Sequence, residues 1–268
     1  MQMDNTAGRG KIYLVGLGPG KAGGITLEAK AALEESHVIA AYTVYADLVK
    51  KAFPEFGNKE FFTTGMRSEI ERCKKCFEFA LENKTVSLVC SGDAGVYGMA
   101  EPLLSLKKVN PAWQSVSVKV IPGVTAALSG AGLLGAPLNH DFCVISLSDL
   151  LTPWSLIEKR LRAAIQADFA IAIYNPSSHK RNDYLSKACS IMIEAGCEME
   201  RPCACVQNIG REGEKALYLT MSELKDTRVD MFTTVFIGNS QSRIVKYADG
   251  SQSLLTKRGY KKGADDDK

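Results

Sequence analysis

No stretch of this 268-residue sequence stays apolar for about 18 residues, so no segment of it reads as a membrane-spanning helix. The opening residues 1–10 lack both the basic start and the apolar run of a secretory signal, which sets the expectation of a cytoplasmic protein. Charge of one sign is missing too: 33 basic residues face 30 acidic ones for a net +3. No long basic stripe occurs, so nucleic acid and membrane are not expected partners, and any anionic ligand must be met by local clusters. A disulfide framework is equally out of place. The eight cysteines, Cys73, Cys76, Cys90, Cys143, Cys189, Cys197, Cys203 and Cys205, include several inside apolar runs, which suits reduced core thiols. Cys73-x-x-Cys76 with Cys203-x-Cys205 is a zinc alternative, but neither pair has the turn residues of a zinc knuckle, and no metal is expected. Short repeats and low-complexity segments are absent. With 46% hydrophobic and 24% charged residues, the chain has the composition of a globular protein with a sizeable core.

What is present is an alternation of short apolar runs with helical patterns. Strands are predicted at 12–15, 37–41, 61–64, 86–90 and 116–121, and helices at 26–35, 69–83 and 99–107. Continuous apolar runs of this kind are the mark of parallel strands buried on both faces, so the first domain is expected to be an open parallel five-stranded α/β sheet. A helix rich in small residues follows at 125–134, closed by Gly135 and Pro137, and the domain boundary is placed at Asn139. Beyond it, strands at 142–147, 169–174, 203–207, 216–220 and 233–237 accompany helices at 153–166 and 182–195. Only a short helix near 222–225 fits between the last two strands, so this second α/β sheet is expected to be mixed. The domains are thus 10–139 and 140–248, with 249–268 a charged tail that ends in Gly263-Ala-Asp-Asp-Asp-Lys268.

Three strands of the first domain end in glycine turns: Gly16-Leu-Gly-Pro-Gly20, Ser91-Gly-Asp-Ala-Gly-Val-Tyr-Gly98 and Ile121-Pro-Gly-Val-Thr-Ala126. In a parallel sheet these lie along the carboxyl edge, where α/β proteins bind ligands, and glycine lets the main chain approach closely. Any one turn alone is as readily a plain connector. A dinucleotide fingerprint needs a sixth glycine where Lys21 stands and an acidic residue after the second strand, where 38–42 offers none. No P-loop occurs either. A nucleoside ligand without a pyrophosphate remains. Asp93 either accepts hydrogen bonds from that ligand or caps the next helix, and Tyr97 is either a cleft wall or ordinary packing.

These turns resemble the successive motifs of the tetrapyrrole (corrin/porphyrin) methylase family, over residues 10–240. Thr64-Gly-Met-Arg67, Asn139-His-Asp-Phe142, Ser146-Leu-Ser-Asp-Leu-Leu-Thr-Pro-Trp154, Tyr174-Asn-Pro176 and Asn208-Ile-Gly-Arg-Glu-Gly213 are similar to the branch that methylates C17 of precorrin-3B. Gly92-Asp-Ala94, in place of the Gly-Asp-Pro of sister enzymes, points the same way. The resemblance implies two α/β domains with S-adenosylmethionine in the cleft, a homodimer, and C17 methylation with ring contraction of precorrin-3B or its cobalt counterpart in cobalamin biosynthesis. It implies a donor site of Gly18, Pro19, Gly20, Gly92, Asp93, Val96, Tyr97, Thr125 and Ala126, with Tyr174, Asn175, Gln207 and Asn208 closing over it.

Methyl transfer from a sulfonium needs alignment more than it needs a metal or a nucleophile. A substrate rich in acetates and propionates needs cations, for which Arg67, Arg72, Lys180, Arg181 and Arg211 are candidates, with Thr64 and Met66 beside Arg67 as substrate contacts. Ring contraction calls for an acid or base, and His140, Asp141 and Asp149 are the candidates. The rival readings are a methylase acting at another ring position or on protein or RNA, a nicotinamide oxidoreductase, and a non-catalytic tetrapyrrole-binding module.

Overall fold

The computed structural model describes residues 10–178 and 181–259, and the chain divides after Ala126 into two compact units. In the first, β1 (Lys11–Gly16), β2 (Val38–Tyr42), β3 (Glu60–Thr64), β4 (Thr85–Cys90) and β5 (Ser117–Ile121) form one parallel sheet in the order β3-β2-β4-β1-β5. The crossovers carry α1 (Leu27–Glu35), α2 (Thr43–Ala52), α3 (Glu69–Leu81) and α4 (Ala100–Val109). Successive strand residues point to opposite faces. Ile12, Leu14, Val38, Ala40, Val86 and Leu88 therefore pack with Phe77 and Leu103 on one side. Val15, Ile39, Ala41 and Val89 pack with Ala29, Leu33 and Val49 on the other. Each fully buried leucine here contributes about 1.5–3 kcal/mol of transfer free energy, which explains why continuous apolar runs, not alternating ones, encode these strands. Thr26 caps α1 by accepting the Ala29 amide at 3.1 Å.

The second unit begins with α5 (Ala126–Leu134) and β6 (Gly135–Ala136). The division falls after the first residue of α5, ahead of the expected Asn139, and the packing shows why the rest of α5 goes with the second unit. A Cβ on Gly130 would lie 2.8 Å from the Phe236 ring and 2.9 Å from Ile209, so the helix backbone is pressed against that core. Then follow β7 (Phe142–Ser146), α6 (Trp154–Gln166), β8 (Ala170–Tyr174), α7 (Tyr184–Glu194), β9 (Pro202–Gln207), β10 (Lys215–Thr220), α8 (Met221–Asp226) and β11 (Thr233–Ile237). Their order is β10-β9-β11-β8-β7. Only β7 and β8 run parallel as neighbours, and the other pairs are antiparallel, so the sheet is mixed as expected. The short α8, closed by a Thr220/Glu223 capping box, turns the chain back into an antiparallel strand.

Residues 252–256 correct the expected tail of 249–268. They form β13 (Gln252–Thr256), paired with β12 (Ser242–Lys246) and β6, with Leu254 and Thr256 buried. The end of that tail, Gly263 to Lys268, lies outside the described residues. Among the described residues no helix is long and apolar enough to cross a membrane.

Cys73 and Cys76 sit in the core of the first unit, Cys203 and Cys205 in the core of the second. Burial pushes the Cys73 and Cys205 thiols up to about 12 and raises Cys76 and Cys203 as well, so all four are inert neutral thiols.

Candidate active site

The three glycine turns follow β1, β4 and β5, which are immediate neighbours in the sheet, so all three open on one carboxyl edge. They also touch. Gly18 and Gly92 exchange backbone hydrogen bonds of 3.0 and 2.8 Å, and Leu17 N–H donates to the Cys90 carbonyl at 2.9 Å. A Cβ on Gly123 would stand 2.2 Å from the Gly92 oxygen, and one on Gly16 would stand 2.7 Å from the same oxygen. Main chain packs directly on main chain at Gly16, Gly92 and Gly123, and these glycines are required before any ligand is considered.

Asp93 joins two turns and does not cap the next helix. Its Oδ1 accepts the Gly95 amide at 2.8 Å and its Oδ2 accepts the Gly123 amide at 2.9 Å, while α4 begins only at Ala100. The carboxylate therefore closes its own turn and ties it to the turn after β5. The edge is not sealed by this packing. Pro19, Gly92, Val96, Thr125 and Ala126 stay partly accessible, and Tyr97 is 58% exposed on a left-handed backbone of φ +53°. Gly18 and Gly20 are buried, the latter against Leu48. Main-chain groups, the Thr125 hydroxyl, short apolar walls and one fixed carboxylate fit an adenosyl sulfonium, which is cationic and has no phosphate to neutralise.

In the second unit, register decides which candidates meet. β8 and β9 run in the same direction on either side of the antiparallel β11, and Thr233 pairs with Gln207. One sheet edge thus gathers Ser146, Tyr174, Asn175, Gln207 and Asn208. Asn175 and Asn208 both have left-handed backbones, φ +52° and +53°. Among the described residues six non-glycine positions have positive φ, and Arg67, Tyr97, Asn175 and Asn208 are four of them. Such conformations each cost about 1–3 kcal/mol and concentrate at functional sites. Periodicity and composition give no signal of them.

The contacts are specific. The Tyr174 hydroxyl accepts the Ala127 amide at 2.6 Å, serving one of the orphan donors at the start of α5. Asn175 donates to Ser146 Oγ at 2.9 Å, and Gln207 donates to Asp230 at 2.7 Å. Arg211 follows Asn208 in the next loop, its guanidinium 5.9 Å from the Phe232 ring.

His140, Asp141 and Asp149 are not one cluster. His140 and Asp141 precede β7 and are exposed, with the Asp141 amide donating to His140 Nδ1 at 2.9 Å. Asp149 follows the other end of β7. There its Oδ2 accepts from Tyr184 at 2.6 Å and its Oδ1 from Arg181 at 2.9 Å. The Tyr184 hydrogen bond, helped by Arg181, holds the Asp149 carboxyl below the usual carboxylate range.

Of the proposed substrate contacts, Met66 and Arg67 are exposed on the loop after β3, and Thr64 ends that strand. Arg72 is a different case. It is buried, donating to Thr64 Oγ1 at 2.5 Å and to the Gly65 carbonyl at 3.0 Å, so it shapes the loop that presents Arg67 and is not itself available to substrate. Lys180 lies outside the described residues.

The chain matches the family described as Tetrapyrrole (Corrin/Porphyrin) Methylases over residues 11–225. A probable cobalt-factor III C(17)-methyltransferase of Salmonella typhimurium is 43% identical over 249 residues, covering 93% of this chain and 99% of that protein. A precorrin-3B C(17)-methyltransferase of Sinorhizobium sp is 36% identical over 253 residues, covering 94% and 97%. The crystal structure of the methyltransferase CobJ is similar with a TM-score of 0.82 at 33% identity, covering 92% of this chain and all of that one. A uroporphyrin-III C-methyl transferase of Thermus thermophilus, solved with S-adenosyl homocysteine, shares the fold at a TM-score of 0.66 and 21% identity, covering 85% and 97%. With this sheet order, these turns and these relatives, the chain belongs to the tetrapyrrole (corrin/porphyrin) methylase family.

Proposed function

We propose that this protein methylates C17 of precorrin-3B, or of its cobalt-containing counterpart, and contracts the macrocycle, with S-adenosylmethionine as donor, in cobalamin biosynthesis. The observation that carries the reading is the joining of three glycine turns on neighbouring strands β4, β1 and β5, with relatives named for C17 methylation over nearly the whole chain. S-adenosylmethionine supplies an already activated methyl on a sulfonium. The protein's part is placement, which is worth about 7–11 kcal/mol when the reacting atoms are held at near-attack distance. Asp93 fixes the turns and adds a negative charge beside the cationic donor, and Pro19, Val96, Thr125 and Ala126 form the wall that orients it and excludes water. In the same reading the protein works in the cytoplasm as a homodimer on a small-molecule tetrapyrrole, with no nucleic acid or membrane partner.

The test is incubation with methyl-labelled donor and precorrin-3B or its cobalt counterpart, read by product mass and absorption spectrum. One added methyl, located at C17, with a corrin-like spectrum is expected. Methylation at another carbon would favour a sister activity. Calorimetry with S-adenosylhomocysteine and NADH separates the remaining readings, since the methylase binds the first, an oxidoreductase the second and a mere carrier neither.

A further inference from the structure

Asp149 sits in the loop after β7 and Arg181 in the loop after β8, at the carboxyl ends of two parallel neighbours. Arg181 is held at two of its three nitrogens, with its guanidinium 5.9 Å from the Tyr184 ring. Its Nε donates to Ser178 Oγ at 3.1 Å, and its Nη1 donates to Ser148 Oγ at 3.2 Å and Asp149 Oδ1 at 2.9 Å. Asp149 is fixed in turn by the Tyr184 hydroxyl, whose ring packs 4.6 Å from that of Trp154. Among the described residues no partner meets Nη2, and the side chain keeps 19% exposure. With Nε and Nη1 engaged and the side chain fixed, the two N–H groups of Nη2 remain to donate to a carboxylate. The surroundings of Arg181 suit a flat apolar ring with a carboxylate rim. In the loop between β7 and α6, Leu150 is 66% and Leu151 98% exposed, and Met231 and Phe232 are exposed where β11 begins on the same sheet edge.

Resting on the function proposed above, we propose that Arg181 is an anchor for a peripheral acetate or propionate of the acceptor, and that Asp149, with Ser148 and Ser178, is a positioning residue that aims it. Asp149 is then neither acid nor base in ring contraction. Both of its oxygens are already accepting, and an acid would need a proton that Tyr184 and Arg181 disfavour.

The test uses the full chain and two readouts, steady-state methyl transfer and fluorescence titration with a porphyrin octacarboxylate, which needs no turnover. Asp149→Asn and Arg181→Lys are each expected to raise the acceptor KM and weaken porphyrin binding by about tenfold, the loss of one charged hydrogen bond. Their kcat and their affinity for S-adenosylhomocysteine should stay within about twofold of the parent values. Arg181→Lys keeps the charge and removes the fork, so it reports geometry even where a neutral variant folds poorly. Unchanged porphyrin binding in both variants overturns the proposal and leaves a plain loop staple. A fall in kcat of about a hundredfold in Asp149→Asn with KM unmoved, together with loss of one limb of the pH profile, overturns it in favour of acid–base catalysis. Failure of the parent to transfer methyl, with porphyrin binding still dependent on Arg181, would refute the C17 activity alone.

Discussion

The carboxylate of Asp93 receives the Gly123 amide at 2.9 Å, bridging two glycine turns that lie 30 residues apart in the chain. The bond converts three separate connectors into one rigid edge, because Gly92 next to it is already paired with Gly18. Asp93→Asn sets an amide NH₂ or a single oxygen where two acceptors are needed, so one backbone donor goes unmet. A loss of about 1–3 kcal/mol in urea unfolding is expected, with S-adenosylhomocysteine bound about tenfold more weakly by calorimetry. Full stability with full affinity would show that the bridge is dispensable.

The glycines of the edge are expected to differ sharply from Gly132 of α5. Gly123→Ala drives a methyl to 2.2 Å from the Gly92 oxygen, backbone against backbone, and should cost about 3 kcal/mol or prevent folding. Gly132→Ala, within α5 where nothing lies within 4 Å, should gain up to about 1 kcal/mol by restricting the unfolded chain. Equal effects from the two substitutions would contradict the packing described for the turns.

Thiol reactivity should follow burial. Burial pushes Cys90 up to about 12 and Cys143 to about 11, and Cys143 alone among the cysteines is less than fully buried. At pH 8 about one thiol in a thousand is ionised at Cys143 and about one in ten thousand at Cys90. Labelling with a disulfide reagent, mapped by mass, should therefore be slow in the native protein and reach Cys143 first, while all eight cysteines react at once in denaturant. Rapid native labelling of Cys203 or Cys76 would show that those cores are open.

The Asp149 link has a definite pH signature. Its folded carboxyl titrates below the unfolded value because Tyr184 and then Arg181 bind the anion. The stabilisation is thus complete above about pH 4, the ordinary carboxylate value, and is lost as pH falls through the lower folded value. Urea unfolding of the parent and of Asp149→Asn should differ by a constant amount from pH 7 to pH 5 and converge in stronger acid. A difference that changes between pH 6 and pH 8 would mean that another group controls this loop.

The strands were legible because both faces of β2 and β4 are buried and their residues are uniformly apolar, and the mixed second sheet followed from the shortness of α8. α2 carries no such signal. It leaves β2 with no side-chain cap, opens on the poor helix formers Thr43 and Val44 and buries only Ala46 and Val49. Neither β12, within the expected second domain, nor β13, within the expected tail, has a clear signal, since these strands alternate weakly and most of their residues are half-buried. At the site, glycine spacing marks the three turns, but it does not show how they pack on one another. Gly16 and Gly123 fit each other, and that mutual fit depends on the strand order. Arg72, in the first turn of α3, has the sequence signal of any exposed helix-start cation, and only the fold turns it inward to Thr64 and Gly65.

A crystal structure of the protein with S-adenosylhomocysteine bound tests most directly whether this one edge grips an adenosyl group. The adenosyl group is expected against residues 18–20, 92–97 and 125–126, within hydrogen-bonding distance of their main chain. Density for the ligand at any other place, with this edge bare, would contradict it.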